Sequence, residues 1–360
     1  MRRECLALLM AVLCGSAGCS EATPQAWPKE CVGRLELALP GDADQGAILG
    51  KERFRNVAQY GAPENRLPDG EEDGWSEFLG MNITHPLAEA EKKQATNRGG
   101  VHKPETLVKD MKINSENIVW HRMIDKPSMQ YGPSRHVIDA DFLMSNGVYL
   151  SWGTGAEESE ELLQSKKRLR TIAAGLRPRP LFDVPTEPGL CLPYVFIPDD
   201  GHERHAIAMT YRLKAHPDIT INLKSETAEP TPKPGDYFRP EVVTNEYRTD
   251  FYWDGRTTVT AGLYSAKTLW RFPTKRPMKL AGRSGLETFV AVVRKKGAEE
   301  DYIYLAVARG NPDTPEAAPD IRFFVEQKRE DAIKRGIKPL TQDEVLKLAR
   351  QITASVRPRP

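Results

Sequence analysis

The chain has 360 residues, with Lys and Arg totalling 51 against 50 for Asp and Glu, and 39% of it is hydrophobic. Near-neutral charge excludes the general attraction to nucleic acid or anionic lipid that a basic protein has, and the length suffices for two domains with separate cores. Beyond the N-terminal stretch, no apolar run reaches the ~18 residues that a membrane-spanning helix needs.

The first twenty residues, MRRECLALLMAVLCGSAGCS, begin with Arg2 and Arg3, run through an apolar stretch from Cys5 to Cys14 and end on small residues. That is a secretory signal, too short for a span. Its end, SAGC, resembles a bacterial lipoprotein signal, in which the cysteine is acylated and becomes the first mature residue. Residues 1–18 are then the signal, Cys19 the lipidation site and 19–30 a tether, and Ser20 after the cysteine points to the outer membrane. The alternative is ordinary cleavage into a soluble periplasmic protein. Removing the signal and giving Cys19 to the lipid leaves Cys31 and Cys191. An even pair in an oxidising compartment points to a disulfide; the alternative is two separate buried thiols.

Two halves of similar plan are legible along the chain. ECVGRLELALP in the first and LCLPYVFIP in the second each set a cysteine at the head of a strand-like run that a proline ends. Strand candidates follow: NIVWHRMI, HVIDADFLM and GVYLSW, then RHAIAMTYRL, DITINLKSE, TDFYWDGRTTVT, ETFVAVVRK, DYIYLAVAR and DIRFFVEQ. Each half closes on an amphipathic helix. In the first, Thr154 and Glu157 have capping-box spacing and Leu162, Leu169, Ile172, Ala173 and Leu176 share a face. In the second, Thr341 and Glu344 form the box and Val345, Leu348, Ala349, Ile352 and Val356 the face. The stretches 169–180 and 349–360 agree at seven of twelve positions and both end in RPRP. The expectation is α+β: two domains, 31–182 and 183–360, each a mainly antiparallel sheet with a packed C-terminal helix, joined by the Pro-rich stretch 177–189. Long loops are expected at 61–74, 224–240 and 311–320.

Catalytic patterns are wanting. His202, Glu203 and His205 in GHERH lack the zinc-protease spacing, and Ser284 in AGRSGLE lacks the glycine that a nucleophile elbow requires. Asp139 and Asp141 lie on one face of a strand with no third ligand, and GTG at 153–155 is followed by no phosphate-loop lysine. No cofactor, metal or small-molecule substrate is therefore expected, and the chain does not read as an enzyme. Binding features are more apparent. DFYWDGRTTV reads as a hairpin turning at Asp254-Gly255, which brings Phe251, Tyr252 and Trp253 to one end, either as interface anchors or to complete the core. An acidic loop carries Glu71, Glu72, Asp73 and Glu77, and a basic one Arg271, Lys275, Arg276, Lys279 and Arg283; each suits a partner of opposite charge or is a solvated surface. The expected partner contacts are Tyr252, Trp253, Arg271, Lys275 and Arg276.

The lipoprotein signal followed by CVGRLELALP, the middle stretch GLCLPYVFIPDD before ITINLKSE, and the final block LAGRSGLETFV, PDIRFFVEQ and LTQDEVLKLARQITASVRPRP together resemble the immunity proteins that protect bacteria from family-4 phospholipase effectors of the type VI secretion system. Members carry Gly-Glu-Glu where this chain has Gly285-Leu286-Glu287. The resemblance implies a periplasmic two-domain inhibitor that grips its cognate lipase and blocks the active-site serine, with ~1,600 Å² or more buried. The alternative class is a structural or assembly lipoprotein of the envelope with a permanent protein partner; an unrecognised periplasmic hydrolase is a third.

Overall fold

The computed structural model describes residues 27–41, 43–45, 55–60, 79–84, 116–127, 135–146, 148–157, 160–201, 205–228, 244–260, 274–293 and 300–359. The signal, Cys19, the acidic loop, Arg271, His202 and Glu203 lie outside the described residues.

The first half opens on β1 (Lys29–Val32) and β2 (Leu35–Ala38), followed by β3 (Ala43–Gln45), β4 (Arg55–Tyr60), β5 (Leu79–Thr84), β6 (Ile118–Pro127), β7 (Arg135–Met144) and β8 (Tyr149–Glu157). Helix α1 (Glu160–Gly175) and the short strand β9 (Arg177–Pro178) complete it. The second half runs through β10 (Gly189–Leu192), β11 (Val195–Pro198), β12 (His205–Leu213), β13 (Ile219–Glu226) and α2 (Asn245–Thr260). It continues with β14 (Arg276–Leu280), β15 (Arg283–Val293), β16 (Glu300–Ala308), β17 (Asp320–Gln327), α3 (Arg329–Lys334), α4 (Gln342–Ser355) and β18 (Arg357–Pro358).

The large sheet is antiparallel throughout, in the order β14-β15-β16-β17-β13-β12-β4-β5-β8-β7-β6, with β3 also on β12. First-half and second-half strands meet edge to edge where His205 to Ile207 pair with Tyr60 to Ala58. The architecture is α+β, as expected. One face carries the main core, in which Ile219, Ile221 and Leu223 of β13 meet Phe323 and Val325 of β17 beneath Val345, Ala349 and Ile352 of α4. The alternation of ITINLK is the cause, since odd positions point one way. The α4 capping box forms as read: Thr341 N–H donates to Glu344 at 2.7 Å, and the Thr341 hydroxyl accepts from Glu344 N–H.

Four readings need correction. Thr154 and Glu157 do not cap a helix; they lie in β8 opposite Ile138 and Arg135, and α1 starts only at Glu160. Ladder pairing with β7 claims those residues before the helix can. The 249–260 run is helical, not a hairpin, because Thr249 and Trp253 are buried one turn apart while Glu246 and Phe251 stay exposed. Thr244 accepts from Tyr247 N–H at the helix start, and the burial of Trp253 overrides the turn preference of Asp254-Gly255. Helices therefore lie on both faces. Trp253 packs against Val292, Ile303, Leu305 and Val307, opposite the face covered by α4. The basic loop is in part the edge strand β14, which turns at Ala281-Gly282 into β15. Finally, the two cysteine runs are hairpins, not single strands: β1 pairs β2 and β10 pairs β11. Their apolar residues are buried on both sides of each strand, so sequence alternation does not reveal the reversals. Gly33 (φ +57°) and Tyr194 (φ 57°) supply the left-handed turn positions.

Candidate functional site

The two hairpins and the two RPRP tails meet in one interior clasp. The tails are exchanged. β9, the tail of the first half, pairs with the second hairpin, setting Arg177 against Phe196 and Pro178 against Val195. β18, the tail of the second half, pairs with the first hairpin, setting Arg357 against Glu36 and Pro358 against Leu35. Glu36 and Phe196 each stand five residues past their cysteine, so the two arrangements are equivalent. Arg179 N–H donates to Tyr194 O at 3.0 Å, and Arg359 N–H to Arg34 O at 2.8 Å, which extends the equivalence. The duplication read from the repeated RPRP thus has a physical counterpart.

The hairpins are joined to each other as well. Cys31 and Cys191 form a disulfide with 5.7 Å between their Cα atoms, and Gly33 and Cys191 exchange backbone hydrogen bonds of 2.8 and 3.0 Å. Both cysteines are fully buried with Phe196.

The second arginine of each tail reaches inside. Arg179 Nη1 lies 2.7 Å from Glu30 and also donates to the carbonyls of Pro180 and Asp183, while Nε donates to Leu192 O and Nη2 to Cys31 O. Glu30 also accepts from Cys31 and Phe182 N–H. At the equivalent place Arg359 meets neutral acceptors instead: the carbonyls of Gly33, Gly189, Pro185 and Glu187, and Cys191 Sγ at 3.1 Å. Burial, helped by the nearby charge of Arg179, pushes Arg359 down to about 10. Alternating prolines hold each tail extended and let the arginine between them point inward. Only a guanidinium carries enough donors in a planar fork for so many carbonyls.

Beside the clasp lies a constellation that superficially suggests hydrolysis. His205 is within 2.9 Å of Ser225 Oγ through Nε2 and within 3.0 Å of Arg34 Nη1 through Nδ1, while Arg34 pairs with Asp199 at 2.8 Å. Arginine only donates, so Nδ1 is the acceptor and Nε2 carries the proton. The imidazole then donates to Ser225, which is the wrong polarity for a general base. Both His205 and Ser225 are fully buried, so no substrate reaches them. Among the described residues no group of three or more His, Cys, Asp and Glu could hold a metal ion. Asp139 and Asp141 share a face of β7, GTG lies within β8, and Ser284, exposed on β15, accepts from Lys279.

The expected partner contacts Tyr252, Trp253, Lys275 and Arg276 cluster around α2 and the sheet edge. Trp253 is buried and its indole N–H donates to Thr288 at 3.1 Å, so it completes the core. Tyr252 is half-buried with the Arg322 guanidinium 5.6 Å from its ring centre. Lys275 pairs with Asp250 at 2.7 Å, and Arg276 is exposed on β14. Above them Phe251 is 58% exposed and stacks on Tyr247 at 6.0 Å. The sequence reading overlooked the roles of Glu30, Arg34, Arg179 and Arg359; the repeat of RPRP was the signal that contained two of them.

Comparison with known proteins places this architecture. Residues 183–245 match the family model of the Tle cognate immunity protein 4 C-terminal domain. The apo structure of the immunity protein TplEi of the type VI secretion system from Pseudomonas aeruginosa aligns with a TM-score of 0.56 at 17% identity, covering 93% of this chain and 97% of that one. The crystal structure of the Tle4-Tli4 complex gives 0.56 at 18% identity, covering 93% and 98%. TplEi from the same organism complexed with "L" peptide gives 0.55 at 17%, covering 93% and 99%. A search of curated protein sequences gives no match. The resemblance read from the sequence is borne out by the family match and the shared fold. Residues 183–245 thus match the Tle cognate immunity protein 4 C-terminal domain, and the chain shares the fold seen in the TplEi structures and in the Tle4-Tli4 complex.

Proposed function

We propose that this chain is an immunity protein that binds a family-4 phospholipase effector of the type VI secretion system and inhibits it by steric cover. The observation that carries this reading is the match of residues 183–245 to the Tle cognate immunity family, in a chain that shares its fold along 93% of its length with a protein solved in a Tle4-Tli4 complex. Occlusion needs no bond-making group, which accords with the wrong polarity of the buried His205–Ser225 pair.

The site of action is the periplasm, with the protein held at the outer membrane by acylated Cys19. A lipase delivered from a neighbouring cell attacks the membrane from that side, so its antidote must stand there. The 1–18 signal and the disulfide support this placement. Division of the chain at 182/183 makes two gripping units tied at the clasp. Partner contacts fall to Tyr252, Lys275 and Arg276, with Arg271, while Trp253 supports them from beneath.

Co-expression with a periplasm-directed cognate lipase tests the function. Full-length protein restores growth, a version lacking residues 1–18 does not, and the purified protein alone turns over no phospholipid. Full lipase activity at saturating inhibitor would overturn the reading. Arg276→Glu weakens the complex without unfolding the protein; unchanged affinity removes β14 from the interface.

A further inference from the structure

The clasp contains an asymmetry that the duplication does not require. Arg179 faces a carboxylate, Glu30, whereas the residue equivalent to Glu30 in the second hairpin is Leu190. Arg359 is held by carbonyls and by the sulfur of Cys191. Two of those carbonyls, from Pro185 and Glu187, belong to the segment joining the halves, and two others, from Gly33 and Gly189, to the two hairpins. Val184 of the same segment packs on the disulfide and Phe196, and the Arg359 guanidinium lies 5.4 Å from the centre of the Phe196 ring. The tail that brings Arg359 there is short: β18 makes a two-residue pairing with β2, and Arg357 is exposed above Glu36.

We propose that residues 357–359 form a latch that closes over the Cys31–Cys191 bond, shielding it from thiols and fixing the joining segment against both hairpins. With the latch seated, the two sulfurs are covered by Arg359, Val184 and Phe196. A thiolate must reach one sulfur in line with the bond to displace the other, so cover of this kind blocks exchange without altering the bond itself. With the latch displaced, Pro185 and Glu187 lose their shared donor, and the joining segment is free to lift from the disulfide. Reduction then proceeds by attack of a dithiol: one thiolate bonds to Cys191 or Cys31 and the other cysteine leaves as thiolate; the second thiol of the reagent, deprotonated, then attacks the mixed disulfide at the reagent's own sulfur, closing a ring disulfide and expelling the attacked cysteine as thiolate, so that two electrons pass from reagent to protein.

The experiment uses the oxidised full-length protein with three variants: deletion of 357–360, Arg359→Met and Arg359→Lys. Each is exposed to dithiothreitol without denaturant, free thiols at Cys31 and Cys191 are trapped with a maleimide and counted by mass spectrometry, and the global unfolding rate of the same sample is measured alongside. In the wild type, reduction never exceeds the rate of global unfolding, however much dithiothreitol is added. In Arg359→Met and the truncation it rises with dithiothreitol past that variant's own unfolding rate, to at least ~10-fold above it, because local opening exposes the bond. Arg359→Lys, which keeps the charge but loses the fork, lies between them and carries the test should the truncation fail to fold. Wild-type protein reduced faster than it unfolds, or folded variants whose reduction never exceeds their unfolding rate, would overturn the latch.

Discussion

The Arg179 guanidinium lies 2.7 Å from the Glu30 carboxylate, with 2% and 0% of the two side chains exposed, so the tail of the first half is tied in the interior to the hairpin that begins it. A charge pair there is stable only because every remaining donor and acceptor finds a backbone partner. Arg179→Met leaves Glu30 buried without a counter-charge and lowers stability by about 3–5 kcal/mol, and the double change with Glu30→Gln recovers part of that loss. Urea unfolding of the three proteins checks it. A loss no greater than that of an exposed Lys-to-Met change would contradict the role.

A second pair responds to pH. Burial of Glu287 pushes its carboxyl upward, but hydrogen bonds from Nε and Nη2 of Arg350 and one from the Tyr304 hydroxyl more than offset this and hold it below the usual carboxylate range. A depressed folded value stabilises at pH above the unfolded value, and the gain is lost as pH falls through the folded one. Glu287→Gln should therefore lower stability at pH 7 by about 1–2 kcal/mol, the exposed side of Arg350 screening the pair, and flatten the acid limb of the profile. Denaturation midpoints from pH 7 to pH 3 test the sign. An acid limb as steep in the variant as in the wild type would show that the pair contributes nothing.

Two aromatic residues two positions apart on α2 should behave differently. Trp253→Ala empties a buried site and strips Thr288 of its donor, at a cost of about 3–5 kcal/mol. Phe251→Ser alters a side chain that is 58% exposed and changes stability by about 0.5 kcal/mol or less. Thermal melts separate the two, and equal losses would refute the helical placement of this segment.

At Gly285 an added Cβ would lie 2.4 Å from the Val307 carbonyl and 3.3 Å from Ala308 Cβ, both on β16. Backbone cannot yield as a flexible side chain does. Gly285→Ala should cost about 1–3 kcal/mol by forcing β15 away from β16, with amide exchange rising first at residues 284–286. Unaltered exchange there would argue against so close an approach.

Much of this protein was determined by local sequence. Alternation in ITINLK, the Thr341–Glu344 box and the apolar face of α4 specify strand and helix because neighbouring residues on one chain segment decide them. The even cysteine pair and the repeated RPRP likewise announced a joined, duplicated plan. What only the tertiary structure decided depends on contacts between distant segments. Residues 249–260 carry strand-forming aromatics, yet they coil because a helix lets Trp253 reach Thr288. Thr154 and Glu157 have capping spacing, yet β7 takes them into the sheet. The exchange of tails, with β9 on the second hairpin and β18 on the first, could not be read from either tail. Two nearly identical peptides fit both hairpins, and chain connectivity in space, not residue type, determines which hairpin each one meets.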